Sequence, residues 1–157
     1  MPRFEVSAGA ATSTRADLLV LPMFEGPALG PGGAEVAHAL GTDLVNALRH
    51  HGIRGKRGET FALEGLGRVG GRTVMLIGAE RGDGDAIREI GMRAGSASRH
   101  HRTVATTAVQ LGTDAAAGAS AFVEGFLLGA YRFDRHRSEV EGVSLARWAG
   151  ILEIGTG

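Results

Sequence analysis

The stretch of this sequence best placed to hold a ligand is Gly26-Pro27-Ala28-Leu29-Gly30-Pro31-Gly32-Gly33. It follows an apolar run that reads as a strand and precedes a segment of helical periodicity. Where a glycine-rich loop opens a helix, unpaired amides point outward and attract phosphate or carboxylate. Gly30, Gly32 and Gly33 are therefore the candidate ligand-binding residues. Two prolines remove donors from the same loop, and a plain connector is the stronger reading of it.

Other groups suggest chemistry and fail on spacing. Gly65-Leu66-Gly67-Arg68-Val69-Gly70 matches the dinucleotide string G-x-G-x-x-G, but that fingerprint needs a helix opening after it, and here it falls between two predicted strands. His50-His51 and His100-His101 invite a metal reading. Adjacent helical residues point about 100° apart, so neither pair aims two nitrogens at one ion as i, i+4 spacing would. Both pairs sit near predicted helix C-termini, where positive charge complements the dipole. Arg54, Lys56 and Arg57 form a small basic cluster that reads as a solvated face or an interdomain salt bridge. Cysteine is missing and no G-x-S-x-G elbow occurs. Ser96 and Ser98 lie near His100 and His101, but nearness in sequence does not make a triad. No catalytic or metal-binding residue is assigned.

The elements that must position these residues alternate between apolar runs and amphipathic segments, the pattern of an α/β chain. Residues 17–22 form a continuous apolar strand suited to burial on both faces. A helix is predicted from Ala34 to His51, with Val36, Ala37, Leu40, Leu44, Val45 and Leu48 as its stripe and Gly52 as its C-terminal cap. Strands at Thr60–Leu63 and Arg72–Gly78 form a hairpin-like pair. Asp83 or Asp85 caps a helix that buries Ile87, Ile90, Gly91 and Ala94 and runs to about His100. A strand over Thr103–Leu111 leads to a long helix from Asp114, with further strands at Phe4–Ser7 and Val143–Leu145. The expected fold is a three-layer α/β sandwich, a mixed central sheet with helices on both faces, in a single domain over 1–157.

Composition bounds the partners. The chain has 157 residues, 43% of them apolar, enough to build one core. Lys plus Arg and Asp plus Glu are 17 each, so no global field gathers nucleic acid or an anionic membrane. Without cysteine, disulfides are excluded. The start of the chain lacks the apolar core of a signal peptide, and no later run approaches the roughly 18 apolar residues of a spanning helix. The expected location is the cytoplasm.

The long helix carries the most specific pattern. Ala119, Phe122, Val123, Phe126, Leu127 and Ala130 follow the i, i+3, i+4, i+7 rhythm of one helix face. Gly118, Gly125 and Gly129 would each cost about 1 kcal/mol relative to alanine, which close approach to a sheet would explain. Gly129-Ala130-Tyr131-Arg132-Phe133-Asp134 then runs into basic residues. This segment resembles the end of the N-terminal domain of the leucyl aminopeptidase (cytosol aminopeptidase) family. Ala16-Asp17-Leu18-Leu19-Val20, Phe24-Glu25-Gly26, Gly55-Lys56-Arg57-Gly58-Glu59-Thr60 and Val74-Met75-Leu76-Ile77-Gly78 follow in the family's order, so the resemblance covers about residues 16–138. Residues 139–157, with Trp148, match nothing in it; that apolar tail reads as exposed and prone to self-association.

The resemblance implies a macro-domain-like form of the α/β fold and a non-catalytic part in interdomain packing and assembly. The family's chemistry, removal of N-terminal residues from peptides, belongs to a second domain holding two divalent metals, zinc or manganese. Its segments, resembling Gly-Lys-Gly-Ile-Thr-Phe-Asp-Ser-Gly-Gly and Asn-Thr-Asp-Ala-Glu-Gly-Arg, do not occur here. The implied partners are a peptidase domain or further copies of the chain, since the family is hexameric. Macro-like folds also bind ADP-ribose on glycine-rich loops, which makes a module for ADP-ribose or a related phosphate ligand, held at Gly30, Gly32 and Gly33, the alternative reading.

Overall fold

A computed structural model describes residues 3–7, 9–137 and 149–153. The strands are β1 (Arg3–Ser7), β2 (Ala16–Phe24), β3 (Ala28–Leu29), β4 (Thr60–Glu64), β5 (Gly71–Glu80), β6 (Thr103–Thr106) and β7 (Ala149–Glu153). The helices are α1 (Gly33–Leu40), α2 (Leu44–His50), α3 (Gly84–Ala97) and α4 (Ala115–Arg137), with short 3-10 turns at Ser98–His100 and Ala108–Leu111. The sheet runs β1-β7-β6-β2-β5-β4. Its first five strands are mutually parallel, β4 is antiparallel to β5, and β3 adds antiparallel to the end of β2. The sheet is thus mixed, as expected.

The unbroken apolar run of β2 is what a strand covered on both faces requires. Its residues alternate between two cores: Leu18 and Val20 pack with Ile87, Ile90, Phe122 and Phe126 of α3 and α4. Leu19, Leu21 and Met23 pack with Val36, Leu40, Leu44 and Leu48 of α1 and α2. Three layers follow from this period of two.

The structure corrects several boundaries. The helix expected over 34–51 is two helices. Gly41, at φ 67°, closes α1 with its N–H on the Ala37 and His38 carbonyls, and the Asp43 side chain then caps α2 by accepting from the Asn46 amide at 3.1 Å. The stripe Val36, Leu40, Leu44, Leu48 keeps its spacing across the break and hides it. The strand expected over 103–111 ends at Thr106. The Thr106 hydroxyl donates to the Val20 carbonyl (2.9 Å) and accepts from the Ala108 amide (3.0 Å), turning the chain into the 3-10 segment. Asp83, rather than Asp85, caps α3 through the Ala86 amide (2.9 Å), and the helix reaches His100 only by way of a 3-10 turn. The expected strand at Val143–Leu145 and Trp148 lie outside the described residues.

The glycines of α4 answer to a helix and a turn instead of a sheet. A Cβ at Gly125 would overlap the Arg88 carbonyl oxygen, one at Gly129 that of Met92, and one at Gly118 that of Val109. Gly91 and Gly95 of α3 return the relationship against the Phe122 and Phe126 carbonyls. Four glycines so let two helices approach backbone to backbone, and Gly118 does the same against the 3-10 turn. Leu127, counted on the buried stripe, is instead 38% exposed.

Candidate functional site

Gly30, Gly32 and Gly33 lie together between β2 and the first turn of α1, where the sequence places them, and the loop is bonded to itself and to its neighbours. The Gly30 amide donates to the Pro22 carbonyl and the Gly33 amide to the Gly30 carbonyl, each at 3.0 Å. Gly32, at φ 80°, sits so close to Ala11 and Thr107 that a Cβ would come within 2.9 and 3.0 Å of their side chains. The Thr107 hydroxyl donates to the Pro31 carbonyl at 2.6 Å, tying the loop to the end of β6. The crevice at the carboxyl ends of β2 and β6, where ligands bind in open α/β sheets, is therefore bridged by contact between its two loops. Glu35 in the first turn of α1 already answers the positive end of the helix. A Cβ at Gly30 would meet Pro22 and one at Gly33 would meet Leu29, so all three glycines sit in close contact with their surroundings.

The remaining sequence motifs resolve into structure. Leu66 and Gly67 have φ 56° and 71°, and the Arg68 amide closes on the Gly65 carbonyl at 3.0 Å. Positive φ at both central residues marks a tight turn within the connection of residues 65–70, so the G-x-G-x-x-G string joins β4 to β5. The Gly55–Thr60 landmark is a clamp on the ends of β2 and β5. Glu59 accepts from the Arg54 and Lys56 amides at 3.2 and 2.7 Å, and Lys56 reaches Glu25 at 3.3 Å. Arg57 grips Asp83 through both carboxylate oxygens. The Ala86 amide, ahead of Arg57, holds that exposed carboxyl below its ordinary range.

The histidines do local work. His51 Nδ1 lies 2.9 Å from the Ala47 carbonyl, and its ring packs on Phe61 at 5.0 Å between centroids. Burial holds the pKa of His101 below its ordinary value, with Asp17 opposing and His100 adding to the shift. Among the described residues, no three His, Asp or Glu side chains converge to hold an ion. The two-metal centre that the resemblance places in a peptidase domain has no fit in them.

A surface that sequence reasoning missed is the outer side of α4. Leu128 and Tyr131 are 39% and 59% exposed beside Leu127, an apolar patch next to the Arg88–Glu124 ion pair (2.9 Å). The signal was present in the sequence: Leu128 and Tyr131 fall outside the stripe of Phe122 and Phe126 on a helix whose inner face is already filled.

Among the described residues no helix is long and apolar enough to cross a membrane. Comparison with known proteins bears on the architecture. The model of the cytosol aminopeptidase family, N-terminal domain, matches residues 20–140. The chain is 29% identical to the probable cytosol aminopeptidase of Streptomyces coelicolor over 100% of its own length and 32% of that protein's. It is 32% identical to the probable cytosol aminopeptidase of Rhodococcus jostii, over 85% of this chain and 26% of the other. The chain thus spans between about a quarter and a third of the curated relatives it matches. A mutant of tomato leucine aminopeptidase superposes on all of it with a TM-score of 0.77 at 21% identity, covering 33% of that chain. The macro domain of ganglioside induced differentiation associated protein 2 superposes with a TM-score of 0.58 at 12% identity, over 98% of this chain and 76% of that one. These two likenesses support the macro-domain-like fold expected from the resemblance. The chain belongs to the cytosol aminopeptidase family and corresponds to its N-terminal domain.

Proposed function

We propose that the chain is the non-catalytic companion of a cytosol-aminopeptidase peptidase domain, packing against it and shaping assembly and access. The observation that carries this reading is the match to an N-terminal-domain model alone, over a quarter to a third of the relatives' length. Most of those relatives' length lies outside the matched region, which supports the peptidase part as the body it meets. Leu127, Leu128 and Tyr131 supply an exposed apolar face for it. Exposed apolar patches of this kind mark interaction surfaces. In the parent protein the peptidase part would remove N-terminal residues from peptides with its two divalent metals, and this part would add no reacting group.

The test is to combine the chain with the peptidase domain of the Streptomyces coelicolor relative and follow mass by light scattering and hydrolysis of a leucyl anilide. A stable complex, weakened at least about tenfold, or 1.4 kcal/mol, by Leu128→Glu, is the expected result. Separate masses and unchanged hydrolysis would overturn the reading. ADP-ribose binding has less support, because the amides of Gly30 and Gly33 are committed to the Pro22 carbonyl of β2 and the Gly30 carbonyl.

A further inference from the structure

We propose that β4 pairs with β4 of a second copy of this chain across a two-fold axis at Ala62, extending the sheet through a dimer. β4 is the last strand in the sheet order. The Glu59 carbonyl accepts from the Gly78 amide and the Gly65 amide donates to the Arg72 carbonyl, both at 2.8 Å. Antiparallel ladders alternate, so the amide groups of Phe61 and Leu63 also face β5. Those of Thr60, Ala62 and Glu64 therefore face outward, and among the described residues no strand pairs with them.

Natural sheets guard such an edge with lysine, proline, bulges or inward charges. β1, at the opposite edge, carries Arg3 and Glu5. β4 reads Thr-Phe-Ala-Leu-Glu, with one charge at its end and no proline. It is regular over its whole register with β5. Among the described residues no strand covers this edge, and its sequence is suited to pairing.

The sequence is complementary to itself in one register. With the axis at Ala62, Thr60 faces the partner's Glu64 and Ala62 faces the partner's Ala62. Every outward N–H and C=O of the strand then finds a partner. Moving the axis to Phe61 or Leu63 leaves an end residue unpaired, and a shift between residues sets outward groups against inward ones. On the α1/α2 face, half-buried Phe61 meets the partner's Leu63 beside His51 and Ile53, closing an apolar surface continuous with the core. Cross-strand pairs of aromatic and branched side chains are favourable in this arrangement. On the α3 face, the partner's Glu64 arrives beside Thr60, at the mouth of a groove of about 400 Å³ whose walls include Met75, Met92, Arg93 and His100. Glu89 lines the same groove and pairs with Arg93 at 3.3 Å, so the partner's carboxylate enters a lining in which Arg93, Arg99 and His100 outnumber that one acid.

Light scattering and sedimentation of the 157-residue chain over a concentration series test the proposal. Ala62→Pro removes only an outward N–H, which an edge strand tolerates. Ala62→Lys sets like charges directly opposite each other. Both variants are expected to keep the far-UV spectrum of the parent, and its melting at dilutions where the parent is monomeric, while weakening dimerisation tenfold or more. Because the chain has no cysteine, Ala62→Cys places a lone thiol opposite its twin, about 5.5 Å apart at Cα and within disulfide range. It should oxidise to a covalent dimer faster than Leu66→Cys in the neighbouring turn. A parent chain monomeric to about 1 mM, a dimer that both Ala62 variants leave intact, or cross-linking no faster than at Leu66 would each overturn the inference. The dimer uses β4 and stands apart from the peptidase contact, which uses α4.

Discussion

The carbonyl oxygen of Arg88 occupies the place that a Cβ at Gly125 would need. This relationship, repeated by Met92 with Gly129, sets how closely α3 and α4 approach, and it ties a sequence landmark to packing.

Gly125→Ala tests it. Helix propensity alone would make alanine better by about 1 kcal/mol. The obstruction is rigid backbone, so overpacking of roughly 1–3 kcal/mol, or more, should win. Denaturant unfolding is expected to show a net loss of stability; a neutral or stabilised variant would mean that the helices do not touch there.

Gly32→Ala tests the loop. The new Cβ meets Ala11 and Thr107 at about 3 Å in a left-handed conformation, which itself costs about 1–2 kcal/mol. Unfolding should show a loss of roughly 2 kcal/mol or more, with overpacking added. Titration of the parent chain with ADP-ribose should give no saturable heat. Saturable heat that Gly32→Ala abolishes would restore the phosphate-ligand reading of Gly30, Gly32 and Gly33.

His101 predicts a pH dependence. Its pKa is lowered in the fold, first by burial. The unfolded chain therefore binds more protons below about pH 6.5, and stability should fall as pH drops from there through the lower folded value. His101→Gln should flatten that segment of the stability curve; an unchanged slope would place the titration elsewhere.

Much of this architecture is legible in the sequence, because β2 and the stripes of α3 and α4 show their burial as periodicity. The break at Gly41-Thr42-Asp43 was missed although it holds a helix stop and a new cap, since the apolar spacing runs straight through it. The end of β6 was missed because Val109 and Leu111 are as apolar as a strand and bury against α4 instead. The glycines of α4 signalled close approach, but a sequence does not say to what. At Gly30, Gly32 and Gly33 composition alone could not tell a ligand cradle from a tightly packed connector. What composition cannot show is the contact from Thr107, 74 positions after Gly33, whose hydroxyl reaches the loop at Pro31.

The central claim is that this N-terminal domain works by docking a peptidase domain through α4. The most direct measurement is the light-scattering mass of the chain mixed with a matched peptidase domain at about 0.1 mM, using Ala62→Lys to keep self-pairing apart. A joint mass that Leu128→Glu and Tyr131→Asp disrupt is predicted. Two separate masses, or a complex that both substitutions leave intact, would contradict it.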